Sequence, residues 1–209
     1  MERGWIQKNP FDTFHCKPEK THRTFLTPDE LKRIEIKTFS LLRLENVRDI
    51  FVFSCYTGLA FVDIEQLTPK NIQSGIDGKK WVFTYRQKTS NKSNVPLLPA
   101  ALNILEKYAN SIELNQKERL LPMINNSKTN AYLKEIADLC GIEKNLTFHM
   151  ARHTFATTVT LSHGVPMETV SNMLGHTKIT TTQIYAKVLE NKVSDDMNAL
   201  LLKLSKPSY

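Results

Sequence analysis

The segment 68–98 constrains the fold most, because it carries strand and turn signals while the sequence on either side of it has helical periods. Aromatic and other residues alternate over 81–86, which predicts a β-strand, and Asp77-Gly78 predicts a hairpin turn before it. We expect a loop over 90–94 and a short third strand over 95–98. The pattern therefore predicts one small three-stranded antiparallel sheet within a mostly helical α+β domain.

Helix signals frame this sheet. The stretch FLTPDELKRI opens the first helix, because Thr27 suits the N-cap, Pro28 the first turn and Glu30 the return bond of a capping box. Gly58 is suited to end the second helix. The remaining helices are predicted over about 44–56, 60–67, 100–110, 128–139, 149–162 and 166–174, in a short segment that holds Tyr185, and over 194–204.

Composition excludes several classes of protein. Of the 209 residues, 41% are hydrophobic and 23% are charged, which is typical of a globular chain, and no apolar run approaches the roughly 20 residues of a membrane span. The three cysteines form no CxxC pair, so neither a disulfide framework nor a zinc site is predicted. The net charge of +7 fits a nucleic-acid partner, although an ordinary basic surface has the same charge.

Two motifs in the C-terminal half carry residues suited to phosphate chemistry. In HMARH, His149 and Arg152 share one helix face, where a guanidinium forks onto phosphate and an imidazole adds a hydrogen bond or a proton. In LGHTKITTTQIY, Gly175 ends a helix and leaves His176 exposed, and Tyr185 follows among small polar residues that would bury it poorly. A phenol becomes a nucleophile at neutral pH only when cations or a base assist it. Scattered polar residues on surface helices are the alternative interpretation.

A third group of cations lies at the end of the predicted sheet. Arg86 and Lys88 are two residues apart in YRQKT and, on a strand, point to the same side. Adjacent cations repel each other unless an anion lies between them. A solvated hairpin edge explains the same pattern without an anion.

The order and spacing of these motifs are more specific than any one of them. The chain resembles the catalytic domain of the tyrosine recombinases, the phage integrase family, in the order of these motifs. Lys88 follows the sheet, His-x-x-Arg comes next, and a tyrosine lies nine residues after the histidine of Leu-Gly-His. The resemblance runs from about 25 to 204 and includes FLTPDEL and TGLAFVDIEQL. It implies the tyrosine recombinase catalytic fold. It also implies an enzyme that cleaves and rejoins DNA through a covalent 3′-phosphotyrosyl bond, without a metal or other cofactor, to integrate and excise a mobile element.

The resemblance implies a role for each residue that matches the family's motifs. Tyr185 would be the nucleophile, Arg152 the clamp on the nonbridging phosphate oxygens, and Lys88 the general acid for the leaving 5′ oxygen. His149 would be an acid/base or phosphate ligand, and His176 a donor to the phosphate. The residues expected to contact DNA are Arg86, Lys88, Lys92, Arg152 and Lys178.

One position departs from the family pattern. The arginine that usually follows TGL is Ala60 here, and loss of one of two guanidiniums lowers a rate by about 10²–10³. Either the site is weakened or another arginine fills the space. We predict Arg86, because strand periodicity puts it about 7 Å from Lys88 on one face, ahead of Arg48 on the preceding helix. Integrases of Bacteroides-type conjugative transposons resemble this chain in lacking that arginine.

The resemblance extends to supporting residues and to neighbouring domains. Asp63 matches an acidic position of the family and is expected to orient His149 or Arg152 from behind. Residues 1–24 would be a linker or tail from a missing N-terminal core-binding domain, and 25–209 the catalytic domain. Apolar residues of the last helix would dock into a neighbouring protomer, unless they pack into the core of their own chain.

The expected partners follow from the same resemblance. They are double-stranded DNA, further copies of the chain in a tetrameric synaptic complex with a monomer in isolation, and an accessory DNA-bending protein, with no membrane. The expected setting is the bacterial cytoplasm, in association with the nucleoid. Two other functions stay open: a catalytically weakened DNA-binding protein, prompted by Ala60, and a type IB topoisomerase-like activity.

Overall fold

The computed structural model describes residues 24–185 together with Met197, Asn198 and Leu201. This part is mainly helical with one three-stranded antiparallel sheet, which confirms the predicted α+β class. The strands are β1 (Ile72–Ser74), β2 (Lys80–Tyr85) and β3 (Lys92–Pro96). The helices are α1 (Pro28–Ile36), α2 (Leu42–Thr57), α3 (Phe61–Glu65), α4 (Pro99–Tyr108), α5 (Ile112–Gln116), α6 (Asn126–Leu139), α7 (Phe148–Thr154), α8 (Met167–Met173) and α9 (Thr180–Gln183).

The central helix α2 packs against α1, α4, α6 and α7. Its Ile50, Phe51 and Phe53 are fully buried, so apolar burial holds the helical part together around it. Gly58 caps α2 with φ +69, and a Cβ at this position would lie 2.4 Å from the Phe155 ring. Both the left-handed backbone and the close approach require glycine here. The predicted capping box of α1 is also present.

The sheet differs from its prediction at the second hairpin. β3 spans Lys92–Pro96, so the predicted strand over 95–98 begins three residues too late, and the predicted loop over 90–94 is wrong at 92–94. β2 ends at Tyr85, and 86–91 form a turn in which the Arg86 N–H donates to Asn91 O at 2.8 Å. The turn begins here because the Gln87 N–H donates to the Asp63 carboxylate at 3.0 Å instead of to a neighbouring strand. The strand alternation used to place Lys88 beside Arg86 is therefore wrong.

The helix predicted over 149–162 changes its winding partway. After α7 the chain forms a π-helical turn (Phe155–Thr160) and a 3₁₀ turn (Leu161–His163). Threonine hydroxyls bond to carbonyls one turn back, as Thr157 Oγ1 does to His153 O at 2.7 Å and Thr160 Oγ1 to Phe155 O at 2.9 Å. Such widened turns frequently occur beside functional residues, and this one begins three residues after Arg152.

The segment after α8 contradicts two expectations about Tyr185. α9 ends at Gln183, so Tyr185 lies in the turn that follows and not on a helix. Tyr185 is only 4% exposed, because it packs with Val95, Phe155 and Leu174 in a second apolar cluster. The helix predicted over 194–204 lies outside the described residues, except for three exposed helical positions. Within the described segments, no helix is long and apolar enough to cross a membrane.

Candidate active site

Arg152 lies at the centre of the candidate site and is 3% exposed. Its Nη1 donates to Gly58 O at 2.6 Å, and its Nη2 donates to Leu174 O. These carbonyls lie at the C-terminal ends of α2 and α8, where helix dipoles leave partial negative charge. A guanidinium has five N–H donors, so three N–H groups are left for other partners after these two bonds.

Arg86 brings a second guanidinium to Arg152. Burial and, next, the charge of Arg86 lower the pKa of Arg152 from 12.5 to about 10, while Tyr185 and Asp63 act in the opposite direction. Among the described residues, the buried Arg86 Nε has no hydrogen-bond partner. Two guanidiniums that repel each other, one with an unpaired donor, form a site suited to an anion between them.

The LGH turn fixes the path of the Arg86 side chain. Gly175 has φ +59, and a Cβ there would lie 2.9 Å from Arg86 Cδ. Asn91 Nδ2 donates to Gly175 O at 3.2 Å, and Ser93 Oγ donates to Met173 O at 2.6 Å. These bonds join the β2–β3 hairpin to the end of α8, so the hairpin and the LGH turn form one unit around Arg86.

Asp63 supports this unit in a way that the sequence did not indicate. It is 2% exposed, and its Oδ1 accepts the Gln87 N–H at the start of the turn that carries Lys88. Its Oδ2 is buried without a hydrogen-bond partner in the described part of the chain. Asp63 therefore anchors the hairpin turn, and its negative charge also acts on Arg152, one of its two predicted targets.

Tyr185 contacts a histidine that sequence reasoning missed. Its Oη lies 2.8 Å from His153 Nδ1, and His153 is 6% exposed. The His149 ring packs edge-on against His153 with centroids 4.4 Å apart. The signal was available in HMARH, since residues four apart share a helix face. His149 itself is exposed.

His176 is half-buried and not exposed as expected. Its Nδ1 lies 2.7 Å from Oγ1 of the fully buried Thr182, which fixes the orientation of the ring. Lys88, Lys92 and Lys178 are exposed, and each lies in or next to the hairpin or the LGH turn. The three lysines are therefore exposed on the segments that carry or contact Arg86.

A cleft of about 340 Å³ opens beside Ala60, the position at which the family usually has an arginine. Its lining includes Ala60, Asn130, His149 and Arg152. The space beside Arg152 is therefore open where the family's arginine would begin. Arg48 does not enter it, because its Nε donates to the Asp49 carboxylate at 2.5 Å and its Nη1 donates to backbone carbonyls near α1. In the described segments, no three His, Cys, Asp or Glu side chains are grouped to hold a metal ion.

The chain is similar to several known proteins. Residues 24–192 match the phage integrase family. The chain is 28% identical to a tyrosine recombinase of Pseudothermotoga lettingae, over 83% of this chain and 61% of that protein. It is 34% identical to the tyrosine recombinase XerD of Oceanobacillus iheyensis, over 88% of this chain and 65% of that protein. The chain thus spans less than two thirds of these relatives.

A solved structure shares the fold. The Tn1549 transposon integrase in complex with circular intermediate DNA superposes with a TM-score of 0.63 at 18% identity, over 93% of this chain and 73% of that one. At this identity the likeness concerns the fold alone. It agrees with the mostly helical architecture and the small antiparallel sheet described above.

Proposed function

The chain belongs to the phage integrase family, and on that premise we propose that it is a site-specific DNA recombinase that cleaves and rejoins DNA through a covalent 3′-phosphotyrosyl intermediate. One observation carries the proposal. The buried Tyr185 packs in one apolar cluster with Leu174, whose carbonyl accepts a hydrogen bond from the guanidinium of Arg152, and the charge of Arg86 also acts on that guanidinium. A nucleophile beside two cations that repel each other is suited to attack a phosphodiester.

Each residue of the site has a proposed role in DNA cleavage. The scissile phosphate binds between Arg152 and Arg86, whose N–H groups hold its nonbridging oxygens and stabilise the charge of the transition state. Tyr185 attacks the phosphorus, and Lys88, exposed in the hairpin turn, protonates the leaving 5′ oxygen. His149 and His176 donate further hydrogen bonds to the phosphate. One phosphate ester is exchanged for another, so the reaction needs no external energy source.

Arg86 replaces the guanidinium that Ala60 lacks. Three observations support this assignment: the effect of its charge on Arg152, the buried and unpaired Nε, and the path over Gly175. Arg48, the other candidate, is bound to Asp49 and to backbone carbonyls. The likeness to Bacteroides-type integrases stays a prediction.

DNA and further copies of the chain are the proposed partners. Arg86, Lys88, Lys92, Arg152 and Lys178 would contact phosphates. Met197 and Leu201 are 52% and 60% exposed, which supports docking of this segment onto a neighbouring protomer. The chain would be a monomer in isolation and would form a tetramer on DNA. An accessory DNA-bending protein completes the proposed assembly. The proposed role, which follows from membership of the phage integrase family, is the integration and excision of a mobile element.

A nicked suicide substrate tests the proposal, because the fragment released by cleavage diffuses away and the protein–DNA adduct accumulates. The full-length protein should form an adduct that maps to Tyr185, and Tyr185→Phe should form none. Arg86→Ala should lower the cleavage rate by about 10²–10³, as expected for one lost oxyanion donor. Arg119→Ala, which removes an exposed arginine outside the site, is the matched control and should cleave normally.

Ala60 supports a second candidate, a DNA-binding protein without catalysis. Specific DNA binding by the full-length protein with no adduct on any suicide substrate would favour it and refute the recombinase. If adducts form but supercoiled plasmid is relaxed without strand exchange, the activity is that of a type IB topoisomerase. Equal cleavage by the Arg86→Ala and Arg119→Ala variants would refute the assignment of Arg86 alone.

A further inference from the structure

The Tyr185 hydroxyl must lose a proton to become a nucleophile, and the proposed function, which uses His149 and His176 as donors to the phosphate, assigns no residue to this step. We propose that His153 is the general base that accepts this proton during DNA cleavage. The proposal rests on the proposed function of Tyr185 and adds a residue to the same reaction.

The contact between the two side chains has the geometry that proton transfer requires. His153 Nδ1 and Tyr185 Oη are 2.8 Å apart, within the 2.6–3.2 Å reach expected of a general base. The two residues are 6% and 4% exposed, so bulk water has little access to the proton. The centroids of the two rings are 5.4 Å apart and the ring planes are inclined by 53°, so the edge of the imidazole faces the hydroxyl.

The helix that carries His153 holds its ring in this position. Arg152 and His153 are consecutive, so about 100° of helix rotation separates them, and Arg152 points to the phosphate site while His153 points to Tyr185. The His149 ring packs edge-on against His153, and the His153 carbonyl accepts Thr157 Oγ1 at the start of the π-helical turn. The base and the phosphate clamp are therefore set by one rigid segment.

The proposed step balances as follows. A lone pair of Tyr185 Oη forms the bond to phosphorus, and the bond from phosphorus to the 5′ oxygen breaks. The proton of Oη moves to His153 Nδ1, and the 5′ oxygen, which keeps the bonding electrons, takes a proton from Lys88. Rejoining reverses each transfer, so His153 returns its proton to Tyr185 as the 5′ hydroxyl attacks.

The timing of the transfer follows from ordinary acidities. A free phenol has a pKa near 10 and an imidazole near 6.5, so transfer before attack is unfavourable by about 3.5 pKa units, a factor of about 3,000. As the phenolic oxygen bonds to phosphorus it becomes far more acidic, and the transfer becomes favourable. The negative charge of the phosphate offsets the positive charge that the imidazole gains.

Two amide variants separate a base from a residue that only positions Tyr185. In His153→Asn the amide occupies the place of Nδ1 and keeps a hydrogen bond to Tyr185, but it cannot take a proton. In His153→Gln the amide reaches toward Nε2. Both variants should lower the single-turnover cleavage rate by about 10²–10⁴ while DNA binding and thermal unfolding stay near wild type. His163→Asn, an exposed site farther along the same run of helix, is the control.

A normal rate for His153→Asn, within tenfold of wild type, would overturn the proposal in favour of positioning alone. A substrate with sulfur in place of the leaving 5′ oxygen needs no general acid, so it should restore cleavage by Lys88→Ala but not by His153→Asn. Recovery of His153→Asn on this substrate would make His153 an acid and refute the inference.

A measurement on the unmutated protein covers the case in which the variants fail to fold. Nitrogen-15 spectra of labelled histidine should find the His153 Nδ1 without a proton in the resting protein at pH 7.5. A protonated Nδ1 would overturn the inference. If the unmutated full-length protein forms no adduct at all, the proposed function fails; if it does and His153→Asn cleaves normally, only the role of His153 fails.

Discussion

Gly175→Ala should damage cleavage far more than it damages the fold. The alanine must adopt φ +59, which costs about 1–2 kcal/mol for a residue with a Cβ. Its Cβ would lie 2.9 Å from Arg86 Cδ, against about 3.5–4.0 Å for an ordinary carbon contact. The Arg86 side chain must therefore move by about 1 Å, and a displacement of that size in a catalytic group costs about 10²-fold in rate.

Gly164→Ala is the matched control, because Gly164 has φ +81 and no atom within 4 Å of a Cβ built there. Both variants should lower the melting temperature by about 2–8 °C, from about 2–4 °C per kcal/mol in a domain of this size. Single-turnover cleavage of a suicide substrate should fall about 10²-fold in Gly175→Ala and stay unchanged in Gly164→Ala. Equal cleavage by the two variants would show that the Arg86 side chain does not depend on the space above Gly175.

Three further predictions concern the supports of the site and the fold. Arg48→Ala removes a partner of the buried Asp49 and should lower the free energy of unfolding in urea by about 2–3 kcal/mol, while the folded fraction cleaves normally; a cleavage defect would return Arg48 to the site. Asp63→Ala leaves the Gln87 N–H unpaired and should lower the free energy of unfolding by about 1–3 kcal/mol. It should also reduce DNA cleavage more than DNA binding, which is measured by filter binding. Burial alone would raise the pKa of Glu30, but hydrogen bonds from Lys144 and Thr27 hold it below its usual 4.5. A lowered pKa stabilises the fold above 4.5, and this contribution is lost as the pH falls through the folded pKa. The unfolding free energies of wild type and Glu30→Gln should therefore differ at pH 7, and the difference should shrink as the pH falls below 4.5; a difference that does not change with pH would contradict this.

The sequence predicted most of the secondary structure, because those signals are local. Thr27 and Glu30 form the capping box of α1 because they lie three residues apart at its start. Gly58 ends α2 because it adopts a left-handed backbone. Alternation over 81–86 likewise predicted β2 to within one residue of its end. Each of these signals acts over a few residues, so the rest of the chain does not alter it.

The errors fall where distant residues decide local structure. The second hairpin turns at Arg86 because Asp63, more than 20 residues earlier, accepts the Gln87 N–H. Tyr185 is buried because Val95 and Phe155 cover it, although its sequence neighbours are small and polar. A window of sequence around either position does not contain the partner that decides the outcome.

The sequence by itself determined which chemical groups the chain carries: one tyrosine after LGH, one arginine in HMARH, and no arginine at Ala60. Only the tertiary structure decided how they meet. Arg152 is held by carbonyls of Gly58 and Leu174, 94 and 22 residues away, and the Arg86 side chain passes over Gly175 into the same space. Helix and strand periods set the face on which a side chain lies, but its approach to another element depends on how apolar cores pack and where helix ends converge.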